Sequence, residues 1–179
     1  MKYSLEAFGL LCVSLALCSC ATIPKGGMAV VGLEKTRYLG KWYEIARYDF
    51  AFEKDLKNTT AEYSANADGT IAVKNRGFNY KKNKWEEALG KARFRGAEAR
   101  GELEVSFFGP FYAAYNIIAL DKEYRYALVA GKNLKYLWIL SRTRTIPDEV
   151  KKSYLDLAAS LGYDLSTLVW VEQDEGSPD

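Results

Sequence analysis

From Tyr38 onward the chain is a succession of short runs rich in aromatic and β-branched residues, cut at regular intervals by turn-forming residues. This punctuation is the strongest constraint on the fold. Runs of four to eleven residues with period-two alternation read as strands that bury one face. They span 42–49, 60–66, 70–78, 84–94, 102–108, 112–120, 125–131 and 136–141. In the fifth, Leu103, Val105 and Phe107 alternate with Glu102, Glu104 and Ser106, so one face is apolar and the other polar. Asp68-Gly69 is a hairpin signal between the second and third runs. Eight such strands in a row predict an all-β, up-and-down antiparallel sheet. Closing it into a barrel removes its edges and leaves an interior sized for one small ligand.

One segment has a different period. Val150, Tyr154, Leu157, Ala158 and Leu161 recur at helical spacing, after a capping arrangement at Thr145 to Asp148 and before Gly162 as a helix stop. This predicts one amphipathic C-terminal helix packed outside the barrel. Leu168 to Glu172 then read as a short returning strand.

The three cysteines, Cys12, Cys18 and Cys20, all lie in the first twenty residues. A disulfide framework, a thiolate metal site and a thiol nucleophile are thereby excluded from the rest of the chain. Lys2 precedes the apolar stretch Ala7 to Cys18, which is too short to span a bilayer and fits the core of a signal peptide. It ends in Leu17-Cys18-Ser19-Cys20, which resembles the bacterial lipobox. The resemblance implies cleavage after Ser19 and acylation of Cys20. Ala21, where an Asp would signal retention at the inner membrane, implies anchoring at the outer membrane, on its periplasmic side. The expected organisation is a signal peptide at 1–19, a lipidated N-terminus and flexible tether at 20–34, a barrel at 35–173 and a flexible tail at 174–179.

Composition narrows the function. The chain has no histidine, so the commonest general base and metal ligand are missing. A formal charge of +2 without a basic run argues against nucleic acid as a partner. No catalytic residue, metal site or cofactor is nominated, and the chain is read as a binding protein rather than an enzyme. Glu44, if it faces inward, reads as a paired structural acid, since no second acid accompanies it in the sequence.

Gly40-Lys41-Trp42-Tyr43-Glu44 matches a G-x-W motif opening the first strand. Asp121-Lys122-Glu123-Tyr124 lies between strands six and seven, where a T-D-Y-like motif would stand but with a different sequence. Leu137 to Arg142 ends the eighth strand with an Arg. In this order and spacing the three resemble the signatures of the lipocalin family. Longer stretches, from Trp42 to Arg47 and from Val105 to Tyr112, resemble its bacterial outer-membrane and apolipoprotein-D-like members. The resemblance covers residues 35 to 173. It implies an eight-stranded barrel closed at one end by Gly40, Trp42 and Arg142, with the guanidinium over the indole as a cation–π pair.

The resemblance also implies a guest: a fatty acid or lysophospholipid, stored or transported for envelope maintenance, including under stress. A homodimer or protein-interaction role stays open beside it. Taking Trp42 as inward, alternation puts Glu44, Ala46 and Tyr48 on the same face. The expected lining is Tyr48, Val73, Val105, Phe107, Tyr112, Asn116, Tyr136, Trp138 and Leu140, with room left by Ala88, Gly90 and Ala92. At the rim, Arg76, Lys82, Arg93 and Arg95 are the candidates for a carboxylate or phosphate head group.

Overall fold

The computed structural model describes residues 22–175. Its strands are β1 (Gly40–Tyr48), β2 (Leu56–Ala65), β3 (Ile71–Asn79), β4 (Lys84–Phe94), β5 (Glu102–Phe108), β6 (Phe111–Leu120), β7 (Tyr126–Ala130), β8 (Leu137–Ser141) and β9 (Leu168–Trp170). Sheet order follows chain order from β2 to β8, then β1 and β9, and β1 also pairs with β2. That last pairing closes the expected antiparallel eight-stranded barrel, with β9 added beside β1. Every ladder is antiparallel.

A four-residue helix, α1 (Lys35–Tyr38), leads into β1, and α2 (Asp148–Ser160) packs outside the barrel. Tyr154 and Ala158 of α2 are buried in a cluster with Leu128, Leu137 and Ile139, and Tyr154 Oη donates to the Tyr126 carbonyl at 2.9 Å. α2 starts two residues later than its Thr145 pattern predicts. Pro147 holds the N-cap at φ −61° and ψ 144°, without a side-chain cap. Asp148 and Glu149 sit in the first turn, where the helix dipole favours acids.

Irregularities interrupt four ladders, at Glu44–Ala46 on β1, Lys57–Thr60 on β2, Val105–Phe108 on β5 and Ile117–Ala119 on β6. On β1, Glu44 pairs with Leu140 and Ala46 with Ile139, so Ile45 is an extra residue. On β6, Ile117 pairs with Val129 and Ala119 with Leu128, so Ile118 is extra. Each bulge inverts the side-chain alternation beyond it.

Residues 22–34 lie along the barrel instead of hanging from it. The Val30 amide donates to the Ile117 carbonyl and its own carbonyl accepts from the Gly101 amide, both at 2.9 Å. Pro24, Ala29 and Leu33 are buried. At the other terminus Asn58 Nδ2 holds Asp174 at 2.8 Å. The expected signal peptide at 1–19, Cys20 and residues 176–179 lie outside the described residues.

Candidate functional site

The barrel is closed where β1 begins. Trp42 is fully buried, and the Arg142 guanidinium carbon stands 3.8 Å from the centre of its ring. Arg142 donates to the carbonyls of Arg37, Tyr38, Leu39, Lys41 and Tyr124 at 2.8–3.1 Å, and Trp42 Nε1 donates to Tyr38 O at 2.9 Å. Arg142 thus ties α1, β1 and the β6–β7 turn across the end of the barrel. Gly40, at φ +91°, adopts the left-handed backbone that favours glycine, and a Cβ there would lie 3.4 Å from Arg142 Nη1. The three residues assigned to closure meet at one place.

Above this plug, Tyr38, Tyr115 and Tyr63 make a weakly polar floor. Tyr38 and Tyr115 hydroxyls are 2.6 Å apart, and Tyr63 and Tyr115 hydroxyls 3.0 Å. Burial pushes all three phenols well up from their usual range, so they remain protonated donors. The remaining inward face is apolar. Val73, Ala92, Leu103 and Leu140 are buried there, with Val105, Phe107, Tyr115 and Trp138 packed against them. These last four point inward yet keep part of their surface accessible. Such inward-facing surface fits a lumen open toward the mouth. At Gly90 a Cβ would come within 2.8 Å of the Phe107 ring, so the glycine makes room for that phenyl.

Nearer the mouth lies a buried ionic cluster. Arg47 Nη1 donates to Glu44 Oε1 at 2.8 Å, and Arg47 Nη2 donates to the Glu53 carbonyl at 2.6 Å. The Glu53 carboxylate is 3.9 Å from Arg47 Nε and accepts from Trp138 Nε1 at 3.2 Å. Burial raises the Glu44 carboxyl well above the usual range, and the neighbouring Glu53 adds to that; burial also raises Glu53. Glu53 belongs to the loop between β1 and β2, so the cluster fastens this loop over the mouth. Phe50 of the same loop stands edge-on to Tyr136 and Trp138 at 5.9 and 5.6 Å between ring centres.

Several expected lining residues lie elsewhere. Tyr48 follows the Ile45 bulge and faces α2's side of the sheet, its hydroxyl on the Asp164 carbonyl at 2.8 Å and its ring edge-on to Tyr163. Ala46 is turned outward with it, and Arg47 takes the inward position. On β6 the alternation is one residue out of step with expectation: Tyr115 and Ile117 join the inner cluster, while Tyr112 lies under Arg93 on the outer face, 4.2 Å from ring centre to guanidinium carbon. Asn116 is fully buried outside the lumen, donating to the carbonyls of Thr22, Ala130 and Gly131 and accepting from Arg95.

None of the rim cations turns into the lumen. Arg76 lies over the Trp85 ring, Lys82 bonds Glu86, Arg93 bonds Glu104, and Arg95 bonds Asn116 and the Leu103 carbonyl. The charges inside are Arg47, Glu44 and Glu53. Glu44 therefore does have a second acid beside it, brought by a loop nine residues downstream. Arg47, Glu53, Tyr63 and Tyr115 carry no local signal that separates them from surface residues of the same type. Only recognition of the bulges and of the loop's fold would have found them.

A lipocalin-like domain family matches residues 33–173. The outer membrane lipoprotein Blc of Escherichia coli (strain K12) is 53% identical over 156 residues, covering 87% of this chain and 88% of that protein. Mouse apolipoprotein D is 32% identical over 146 residues, covering 76% and 75%. Insecticyanin from the tobacco hornworm Manduca sexta shares the fold at TM-score 0.67 and 20% identity, over 83% of this chain and 85% of that one. The bacterial relatives carry the outer-membrane lipoprotein name, and this chain takes the same lipid-anchored place at the outer membrane. Its barrel, its Trp42–Arg142 plug and these matches together establish that the chain belongs to the lipocalin family.

Proposed function

We propose that the lumen holds the acyl chain of a fatty acid or lysophospholipid, and that the protein stores or carries such lipids at the outer membrane for upkeep of the envelope. Cys20 is the acylated residue in this reading, and no chemical reaction is part of it. The observation that carries it is the accessible inward surface of Val105, Phe107, Tyr115 and Trp138 above a sealed floor. Apolar walls that end in a few hydroxyls suit a chain whose polar end stays near the mouth. Glu44 and Glu53 are each engaged by Arg47 or Trp138, which supports a structural role for the pair.

Titration of the purified protein with labelled oleate and with an oleoyl lysophospholipid tests this reading. Saturation at one ligand per chain is expected. Val105→Trp, which fills the lumen without touching the plug, should abolish saturable binding while the circular dichroism stays that of a barrel. Equal binding by the filled variant would place the guest elsewhere and overturn the assignment.

A further inference from the structure

The mouth of the barrel carries apolar surface that the lumen does not use. Phe52, Phe108 and Phe111 are 75, 66 and 78% exposed. They form one patch: the Phe52 and Phe108 rings are 5.9 Å apart, and Phe108 pairs with Phe111 across the β5–β6 hairpin. Tyr80 and Leu134, also exposed, stand on the other two loops of the same end. Three exposed phenyl groups together on a water-facing surface call for a partner.

Two further observations say which partner. The first is charge. Residues 49–55, 80–83, 109–110 and 131–136, the loops of this end, carry five lysines (54, 81, 82, 132 and 135) against three acids (49, 53 and 55); Glu53 is buried, Lys81 pairs with Asp55 and Lys82 with Glu86 of β4, which leaves Lys54, Lys132 and Lys135 as the excess. The second is the course of the chain. Asn116 Nδ2 holds the Thr22 carbonyl together with those of Ala130 and Gly131, and Gly131 opens the last mouth loop. The described chain therefore ends beside the mouth half of the wall. One residue, Ala21, separates Cys20 from Thr22, and the two chain steps reach about 7 Å at most. An acyl anchor on Cys20 keeps the mouth near the bilayer surface.

We infer that the mouth end is a membrane-docking face: Phe52, Phe108 and Phe111 enter the bilayer that holds the anchor, and the surrounding lysines lie over its anionic head groups. Exposed aromatics flanked by lysine are the chemistry that seats a peripheral protein in an interface. A lumen opening directly onto the membrane exchanges its lipid without a passage through water. The inference goes beyond the carrier reading and does not require any particular guest.

The test uses the mature acylated protein in vesicles of phosphatidylethanolamine and phosphatidylglycerol. With Cys20 acylated and Cys12 and Cys18 in the leader, an introduced cysteine is the one free thiol. Nitroxide labels are placed on Phe111→Cys at the mouth and, separately, on Glu123→Cys at the closed end. The label at 111 should collide more with dissolved oxygen than with a water-soluble nickel chelate, and the label at 123 should show the reverse. Phe52→Ser combined with Phe108→Ser should shift the label at 111 back to the aqueous pattern. These phenyls are exposed, so the barrel survives their loss. Two aqueous patterns overturn the inference. So does protection at 111 that persists without vesicles and tracks dimerisation in light scattering, since a second copy would then be the partner. Failure of the carrier reading would show instead as absent lipid binding in titration, with the label at 111 still in the bilayer.

Discussion

Arg47 and Glu44 meet inside the barrel, Nη1 to Oε1 at 2.8 Å, although they are three residues apart on one strand. In a regular strand such a pair faces opposite sides of the sheet. The bulge at Ile45 turns both inward and makes the ion pair possible. With Arg47 2% exposed at its side chain and Glu44 6%, removing the guanidinium leaves two buried acids without their cation, Glu53 keeping only the Trp138 donor. Arg47→Met is expected to destabilise the protein by about 3–5 kcal/mol, measured by urea unfolding. A loss well under about 1 kcal/mol would mean that the pair is solvated and the cluster loose.

The same cluster makes stability depend on pH. Burial, then the charge of Glu53, raise the Glu44 carboxyl in the folded state, while Arg47 opposes them. A folded pKa above the unfolded value means that the folded state holds the proton more tightly. The stability this provides is complete below about pH 4.5, the ordinary carboxylate range, and is lost as pH rises through the raised value. Glu44→Gln keeps an oxygen for Arg47 and cannot ionise. Its melting temperature should therefore gain on the wild type as pH rises from about 4.5. Exposed acids held low by partners, such as Asp68, have the opposite sign but cancel in this comparison. Parallel profiles for the two proteins would show that Glu44 titrates as an ordinary carboxylate.

Tyr48 and Trp138 separate packing from binding. Tyr48 lies against Tyr163 and bonds Asp164 outside the lumen. Tyr48→Ala should cost about 2–4 kcal/mol of stability and leave acyl-lipid affinity unchanged. Trp138→Ala, inside the mouth and beneath Phe50, should weaken acyl-lipid binding and loosen the β1–β2 loop. Calorimetric unfolding and ligand titration on both variants check the contrast. A Tyr48 variant of normal stability that fails to bind would reverse it.

Asn116 is a latch for the strap at 22–34. Asn116→Leu leaves the carbonyls of Ala130 and Gly131 without their side-chain donor and releases Thr22. A cost of about 2 kcal/mol is expected, with faster amide exchange at Val30. Unchanged exchange there would show that the pairing of Val30 with Ile117 and Gly101 suffices.

Much of the fold was legible because strand alternation, the Asp68-Gly69 turn and the helical spacing from Val150 to Leu161 are local patterns. The plug was legible because Gly40, Trp42 and Arg142 sit in an ordered motif. The lining was legible at Val73, Val105, Phe107, Trp138 and Leu140, which join the inner cluster. It failed at Tyr48, beyond the bulge at Ile45, and across β6, where the inward set is shifted by one residue. A bulge has no firm sequence signal, and one extra residue exchanges inside for outside. The head-group candidates failed for another reason. Arg76, Lys82, Arg93 and Arg95 have acids, rings or amides beside them on the outer surface, and only the register shows this. Glu53 was hidden because the path of its loop is not a local property.

The most direct test of the central claim is native mass spectrometry of the mature protein taken from bacterial envelopes, with extraction and identification of what it carries. One fatty acid or lysophospholipid per chain, displaced by added oleate and absent from Val105→Trp, is the predicted result. A wild-type chain that arrives empty and takes up no acyl lipid on addition would contradict the account, leaving the lipocalin barrel without the cargo proposed for it.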